Sequence, residues 1–390
     1  MTGAQAPARR FYPQLEGMRA VAALGVLTTH VAFQTASLDW PVIGPLLGRL
    51  DLAVALFFAL SGFLLWRPYA SAAHDADASP PDVTRYLKHR FVRIWPAYAV
   101  VVIVVLLLLP QARDSSLTVW LANLTLTQVF VPLTLAPGLT QMWSLSVEVA
   151  FYLLLPIAGY AIVALRGRRA RYRVPLILGI SAVSLTWAWA VNVLPLADGV
   201  EGKNWVFGHL PWFAGGLVLA EIVAAVRTGA VSADSRLIRW SSNRPAMLGI
   251  VVIAYCLAST PLAGPVGLAP MNDPQYAAKM LLGGIAAYAV LAPLVLRDDR
   301  FRFLESPVMA ALGRWSYGIF IWHVAVLTSM FGLFGIPAFA GRFVAIWLLT
   351  VVITVPVSAA SYIFLEEPCR RALSRREKRR RAEAELSPAE

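Results

Sequence analysis

Apolar positions along this chain fill long uninterrupted runs, such as 97–110 (AYAVVVIVVLLLLP), separated by short polar segments. A helix needs about 20 mainly apolar residues to cross a bilayer core. The pattern therefore predicts an all-α, polytopic helical membrane protein with ten transmembrane helices. They fall at 18–36, 51–67, 95–110, 143–165, 174–194, 208–226, 245–262, 277–296, 315–335 and 341–365. The third run is short and reaches full length by extending back through 91–94. Segment 111–142 is half apolar and is expected to lie on, or re-enter, the outer face. No internal repeat is visible. The expected organisation is an N-terminal segment 1–17, a membrane domain 18–365 and a basic tail 366–390.

Composition sharpens this picture. Of 390 residues, 58% are hydrophobic and 14% charged, whereas soluble domains carry about a quarter charged residues. The net charge of +12 does not indicate a nucleic-acid partner, because the cations fall in the short segments between apolar runs. With both ends placed inside, 29 of the 34 Lys and Arg residues collect on one side. Only Arg49, Arg113, Lys203, Lys279 and Arg342 fall on the other. Cytoplasmic segments carry the excess of positive charge, so both termini are expected in the cytoplasm of a cell bounded by a plasma (inner) membrane. The tail from Arg370 to Arg381 reads as a solvated stop segment that also touches anionic membrane lipids. The run beginning near Met18 has no small-residue cleavage site after it and is expected to be retained. Cys256 lies inside an apolar run and Cys369 in the basic tail, so neither a disulfide nor a metal site is expected.

Ionisable residues inside spans are expensive and point to function. Four stand out, His30, Glu148, Glu221 and His323, and Arg19 begins the first run. Eleven steps of about 100° bring Arg19 and His30 to within roughly 20° of one helix face, about 16 Å apart along the axis. That places a cation near the inner surface and an imidazole deep in the membrane. An anionic-headed ligand entering from the cytoplasm fits such a pair, with the guanidinium on phosphate and the imidazole moving a proton. The alternative is a snorkelling Arg and a histidine bonded to a neighbouring helix. Arg90 and Arg93 lie three apart on one helix face, placed either to clamp phosphates or simply to anchor the inner end. Glu148 shares a face with Tyr152, and Glu221 sits nearer the inner end of its run. Ser316 and Tyr317 precede His323 on one helix, and Asp51 opens the second run. Gly62 permits close approach of backbone or ligand. No phosphate-binding loop, nucleophile elbow or zinc-spaced His pair is present. Ser61 and Cys256 have no base beside them in sequence.

The ordered set LEGMRAVAALGVLTTH (15–30), LFFALSGF (56–63), RFVRIWPAY (90–98), WSLSVEVAFYLLLP (143–156), GRWSYGIFIWH (313–323) and YIFLEEP (362–368) resembles the acyltransferase-3 family of integral-membrane acyltransferases. The resemblance implies transfer of an acyl group, often acetyl from acetyl-CoA, to a hydroxyl of a sugar, glycolipid or secondary metabolite. It also implies that Arg19 and His30 are the family's paired Arg and His, with His30 the catalytic base, that Arg90 and Arg93 handle the donor beside Arg19, and that Glu148 matches the family's glutamate. Two departures stand out: Ala55 occupies a position that is often acidic, with Asp51 one turn earlier, and Phe320 stands where tyrosine is common. Many relatives carry a C-terminal extracytoplasmic hydrolase-like domain, and none is expected after residue 390.

The expected function is therefore acyl-CoA-dependent O-acyl transfer, with no bound cofactor, in a cavity running from a basic cytoplasmic mouth to His30. Covalent transfer through the imidazole is an open alternative route. His30 and Glu148 are the catalytic candidates. Asp51, Ser61, Trp143, Tyr152, Tyr317 and His323 are candidates for acceptor binding or support. The rival reading is a transporter or exporter of a lipid or glycan carrier, using the same cavity without chemistry.

Overall fold

The computed structural model describes residues 11–297 and 299–386, and no strand occurs among them. Arg9, Arg10 and the rest of 1–10, together with the final residues 387–390, lie outside the described residues.

Each expected run becomes a helix. They are α1 (Pro13–Gln34), α2 (Ala53–His74), α3 (Val83–Leu108), α4 (Trp143–Ala161), α5 (Arg173–Ser184), α6 (Val206–Arg227), α7 (Arg244–Ala258), α8 (Asp273–Leu296), α9 (Pro307–Leu333) and α10 (Phe343–Ser361). A final helix, α11 (Glu367–Leu386), carries the basic tail. Polar residues fix several starts by accepting the first free backbone N–H groups. Asp82 accepts from Arg85 N at 2.5 Å, Asn243 from Ala246 N at 3.0 Å, and Asn272 forms a capping box with Gln275.

Eight of these helices, with their flanking turns, are long and apolar enough to cross a membrane. The other two expected spans are α1 and α7. The second has only 15 residues. For α1, with 22 residues, the reason is environmental: polar groups are tolerated in a helix that is surrounded by protein rather than lipid. Its Ala23, Leu27 and Val31 form one buried cluster with Ile319 and Leu327 of α9 and Ile346 of α10. This packing aligns the two helices that carry His30 and His323.

On the other side of the bundle, α2 crosses α6 at backbone contact. A Cβ on Gly216 would stand 1.8 Å from the Ala59 carbonyl oxygen, and one on Gly62 would stand 2.6 Å from that of Phe213. Small residues at a crossing let helices approach where the hydrophobic effect cannot drive their association. The close approach allowed at Gly62 is thus used by the α6 backbone. Segment 111–142 is short helix and turn folded onto α3: Tyr98 Oη donates to Asn123 O at 2.6 Å, and the buried Asn123 donates to Val119 O and Thr134 O.

Candidate active site

A cavity of about 1210 Å³ opens between α2, α3, α4 and α9. Its polar lining includes Arg85, His89 and Arg227 together with the acids Asp75, Asp77 and Asp82, and Arg19, Arg90 and Arg93 also line it. The helix faces predicted from spacing explain this: α1 contributes Arg19, and one stripe of α3 contributes the other two. Arg19 bonds Glu16 at 3.4 Å. The Arg90 guanidinium lies 5.9 Å from the Tyr152 ring centroid, and its buried Nε has no hydrogen-bond partner. A buried donor without a partner is costly unless a ligand or water satisfies it.

Deeper in, Glu148 Oε1 accepts from Ser61 Oγ and from Tyr152 Oη, the latter at 2.6 Å. All three side chains line the cavity. Glu148 therefore joins α2 to its own helix, and its hydrogen bonds go to these hydroxyls. Tyr317 also lines the cavity, but its hydroxyl donates to Ile94 O at 2.8 Å, so its proton is spent on holding α3.

His30 and His323 meet beyond the inner end of this cavity, with ring centroids 5.0 Å apart. The carbonyls around them define which nitrogens carry protons. His323 is fully buried, and its Nδ1 lies 3.0 Å from Ile319 O and 2.8 Å from Phe320 O. A carbonyl only accepts, so His323 Nδ1 is the N–H, and in the neutral ring its Nε2 is a lone pair. That lone pair faces His30 Nδ1 at 3.3 Å. His30 Nδ1 is also 2.8 Å from Val26 O, so it too is an N–H. The remaining nitrogen, His30 Nε2, keeps its lone pair and is a base. An imidazole held in one tautomer this way is suited to accepting a proton.

The other predicted residues lie elsewhere. Asp51 pairs with Lys279 at 2.6 Å and does not line the cavity. Trp143 packs on the buried His209, ring centroids 5.2 Å apart, and does not line the cavity. Glu221 is buried with Arg173, its Oε1 accepting from Arg173 Nε at 2.7 Å and Trp66 Nε1 at 2.6 Å, and its Oε2 lies 3.2 Å from His74 Nε2. Sequence reasoning missed Lys279, His209 and Glu366. Glu366 closes a π-helical turn, Tyr362–Glu366, and has a buried oxygen without a partner near Arg93. The signal for it was the pair of acids ending the last apolar run. No group of three or more His, Cys, Asp or Glu able to hold a metal ion occurs among the described residues.

The arrangement is thus a neutral imidazole with a free ring nitrogen, buried in a helical bundle next to an arginine-lined cavity. The family model described as "Acyltransferase domain" matches residues 12–364, and the chain belongs to that family. It is similar to acyltransferase MdmB of Streptomyces mycarofaciens, 28% identical, with 93% of each chain covered. It is also similar to the putative peptidoglycan O-acetyltransferase YrhL of Bacillus subtilis, at 27% identity over 94% of this chain and 57% of the relative. The peptidoglycan O-acetyltransferase OatA of Listeria monocytogenes is 22% identical, over 93% of this chain and 56% of the relative. The chain thus spans a little over half the length of these two peptidoglycan relatives. No solved structure matches it.

Proposed function

We propose that this chain is a multi-pass O-acyltransferase of the plasma membrane. In this reading it moves a short acyl group, acetyl first, from acyl-CoA entering from the cytoplasm to a hydroxyl of a glycan, glycolipid or small molecule. The observation that supports this is an arginine-lined cavity whose inner end is parted by Phe57 and Phe320 from a histidine with a free basic nitrogen, rather than running through to His30 as the sequence led one to expect. Arg19, Arg90 and Arg93 hold the donor phosphates by charge-assisted hydrogen bonds. In this reading the chain has ten spans and both termini in the cytoplasm, and the cavity mouth opens on the side assigned 29 of the 34 Lys and Arg residues. The names of the peptidoglycan O-acetyltransferase relatives favour a hydroxylated glycan as acceptor.

In the reaction, His30 Nε2 takes the acceptor hydroxyl proton as its oxygen attacks the thioester carbon. The ester C–O bond forms, the C–S bond breaks, and the proton passes from His30 to the departing sulfur, releasing free CoA. His323 accepts a hydrogen bond from His30 Nδ1–H and stabilises the imidazolium formed during attack. Glu148, with Ser61 and Tyr152, presents an oriented carboxylate along the path of the donor arm.

The donor assignment is tested with inside-out membrane vesicles and radiolabelled acetyl-CoA, following label into lipid and glycan extracts. The account expects labelling above vesicles lacking the protein, competed by free CoA and much less by a CoA stripped of its phosphates. Arg90→Gln should raise the donor KM about tenfold, the loss of a charge-assisted hydrogen bond of roughly 1.5–3 kcal/mol being enough for this. Equal competition by the phosphate-free analogue would contradict the assigned role of the arginines.

A further inference from the structure

The cavity does not reach the histidine pair. Val54 and Phe57 of α2 and Phe320 of α9 are among the residues lining its inner end, and neither His30 nor His323 lines it. The Phe57 and Phe320 rings meet edge to face with centroids 6.0 Å apart. Phe320 is 7% exposed, and its ring centroid lies 5.9 Å from that of His323. Its own carbonyl also accepts from His323 Nδ1. Phe320 is thus in contact with the cavity on one side and with the histidine pair on the other. The barrier is one aromatic layer thick, and it sits beside a stacked aromatic core: Phe58, which also lines the cavity, stacks on Phe213 at 4.4 Å, and Phe213 on Phe151 at 3.9 Å.

From this layer we propose that Phe57 and Phe320 select the acyl group of the donor by its length. The inference rests on the acyl-CoA reading above and adds the residues that set its specificity. For the thioester carbon to come within reach of His30 Nε2, the acyl end must pass the aromatic pair or displace Phe320 by rotation about its side-chain bonds. A two-carbon group needs little room beyond the thioester itself. Each further methylene must be fitted into a space that Phe320 occupies, and close-packed interiors give way reluctantly to added volume. The ring also offers an apolar floor for the methyl of an acetyl group. Phe320→Ala removes the ring and leaves space continuous with the cavity, so longer chains should gain most. The chemistry is unaltered: the same C–S bond breaks, the same C–O bond forms, and the proton again travels through His30.

The test compares kcat/KM for acetyl-, butyryl- and octanoyl-CoA with one acceptor extract, using the full chain in membranes. The wild type should favour acetyl over butyryl by tenfold or more. Phe320→Ala should shrink that ratio at least tenfold, whereas Phe320→Tyr, which keeps the ring, should leave it within about twofold. A merely structural role for Phe320 would lower all three rates together and leave the ratio unmoved, and that result overturns the proposal. If Phe320→Ala does not fold, Phe57→Val opens the same layer from α2 and must shift the ratio in the same direction. A wild type that transfers octanoyl as readily as acetyl also overturns the selector while leaving the acyl-CoA reading intact. A wild type that transfers label from none of the three donors removes that reading, and the selector with it.

Discussion

Replacing His323 by leucine is a graded perturbation of the proposed base, because it removes a hydrogen-bond acceptor while keeping similar side-chain volume. In the native arrangement His30 Nδ1–H has two acceptors, Val26 O at 2.8 Å and His323 Nε2 at 3.3 Å. His323→Leu deletes the longer of the two. The shorter one still holds the tautomer, so Nε2 remains the basic nitrogen. What is lost is one hydrogen bond, worth about 1 kcal/mol net. Part of it strengthens as His30 becomes positive in the transition state. A loss of about 1 kcal/mol in the barrier lowers kcat roughly fivefold. Deleting the base itself should cost about 10²–10⁴. The assay is initial-rate transfer of labelled acetyl in membranes, normalised to folded protein by size-exclusion profile. kcat should fall about fivefold with the donor KM unchanged, since His323 does not line the donor cavity. His323→Gln, which offers a carbonyl oxygen in place of Nε2, should recover part of the loss. If His323→Leu is as severe as His30→Ala, His323 transfers protons itself and the positioning argument fails.

Two further predictions concern the framework. Glu221→Gln leaves the Arg173 guanidinium, 2% exposed, without its carboxylate; breaking a buried pair costs roughly 3–5 kcal/mol. A clear drop in the thermal midpoint in detergent is expected, with kcat per folded molecule retained, and a fall in kcat at unchanged stability would contradict this. Gly216→Ala sets a Cβ 1.8 Å from Ala59 O, so α2 and α6 must separate. Overpacking of this kind costs about 1–3 kcal/mol or more, and wild-type stability in this variant would show that the crossing is not tight.

Most of the helices were legible because a span must satisfy its backbone internally, so apolar run length maps onto helix. The pattern was weakest where protein replaces lipid. The short α7 and the polar-bearing α1 depend on their neighbours, and run length carries no record of neighbours. The same limit applies to the site. Spacing along one helix put Arg90 with Arg93 and Glu148 with Tyr152, and all four line the cavity, whereas Arg19 and His30, expected to share it, are parted because His30 does not line it. It gave no access to contacts between helices. The pairing of His30 with His323 arises from packing of α1 on α9, and that of Ser61 with Glu148 from α2 approaching α4. The separation of cavity from base by Phe57 and Phe320 has the same origin. Glu221 shows the converse. Its presence in an apolar run suggested a site, yet its partner Arg173 is 48 residues away in sequence, and together they form a buried ion pair. Trp143, a candidate for acceptor binding or support, instead packs its ring on that of His209.

The most direct test of the central claim is transfer of labelled acetyl from acetyl-CoA in membranes carrying the wild type or a folded His30→Ala variant, with total lipid and glycan extracts as acceptors. The account predicts label incorporation by the wild type and a loss of about 10²–10⁴ in rate for the variant, with donor binding retained. Equal incorporation by the two proteins would remove His30 from the chemistry and contradict the account.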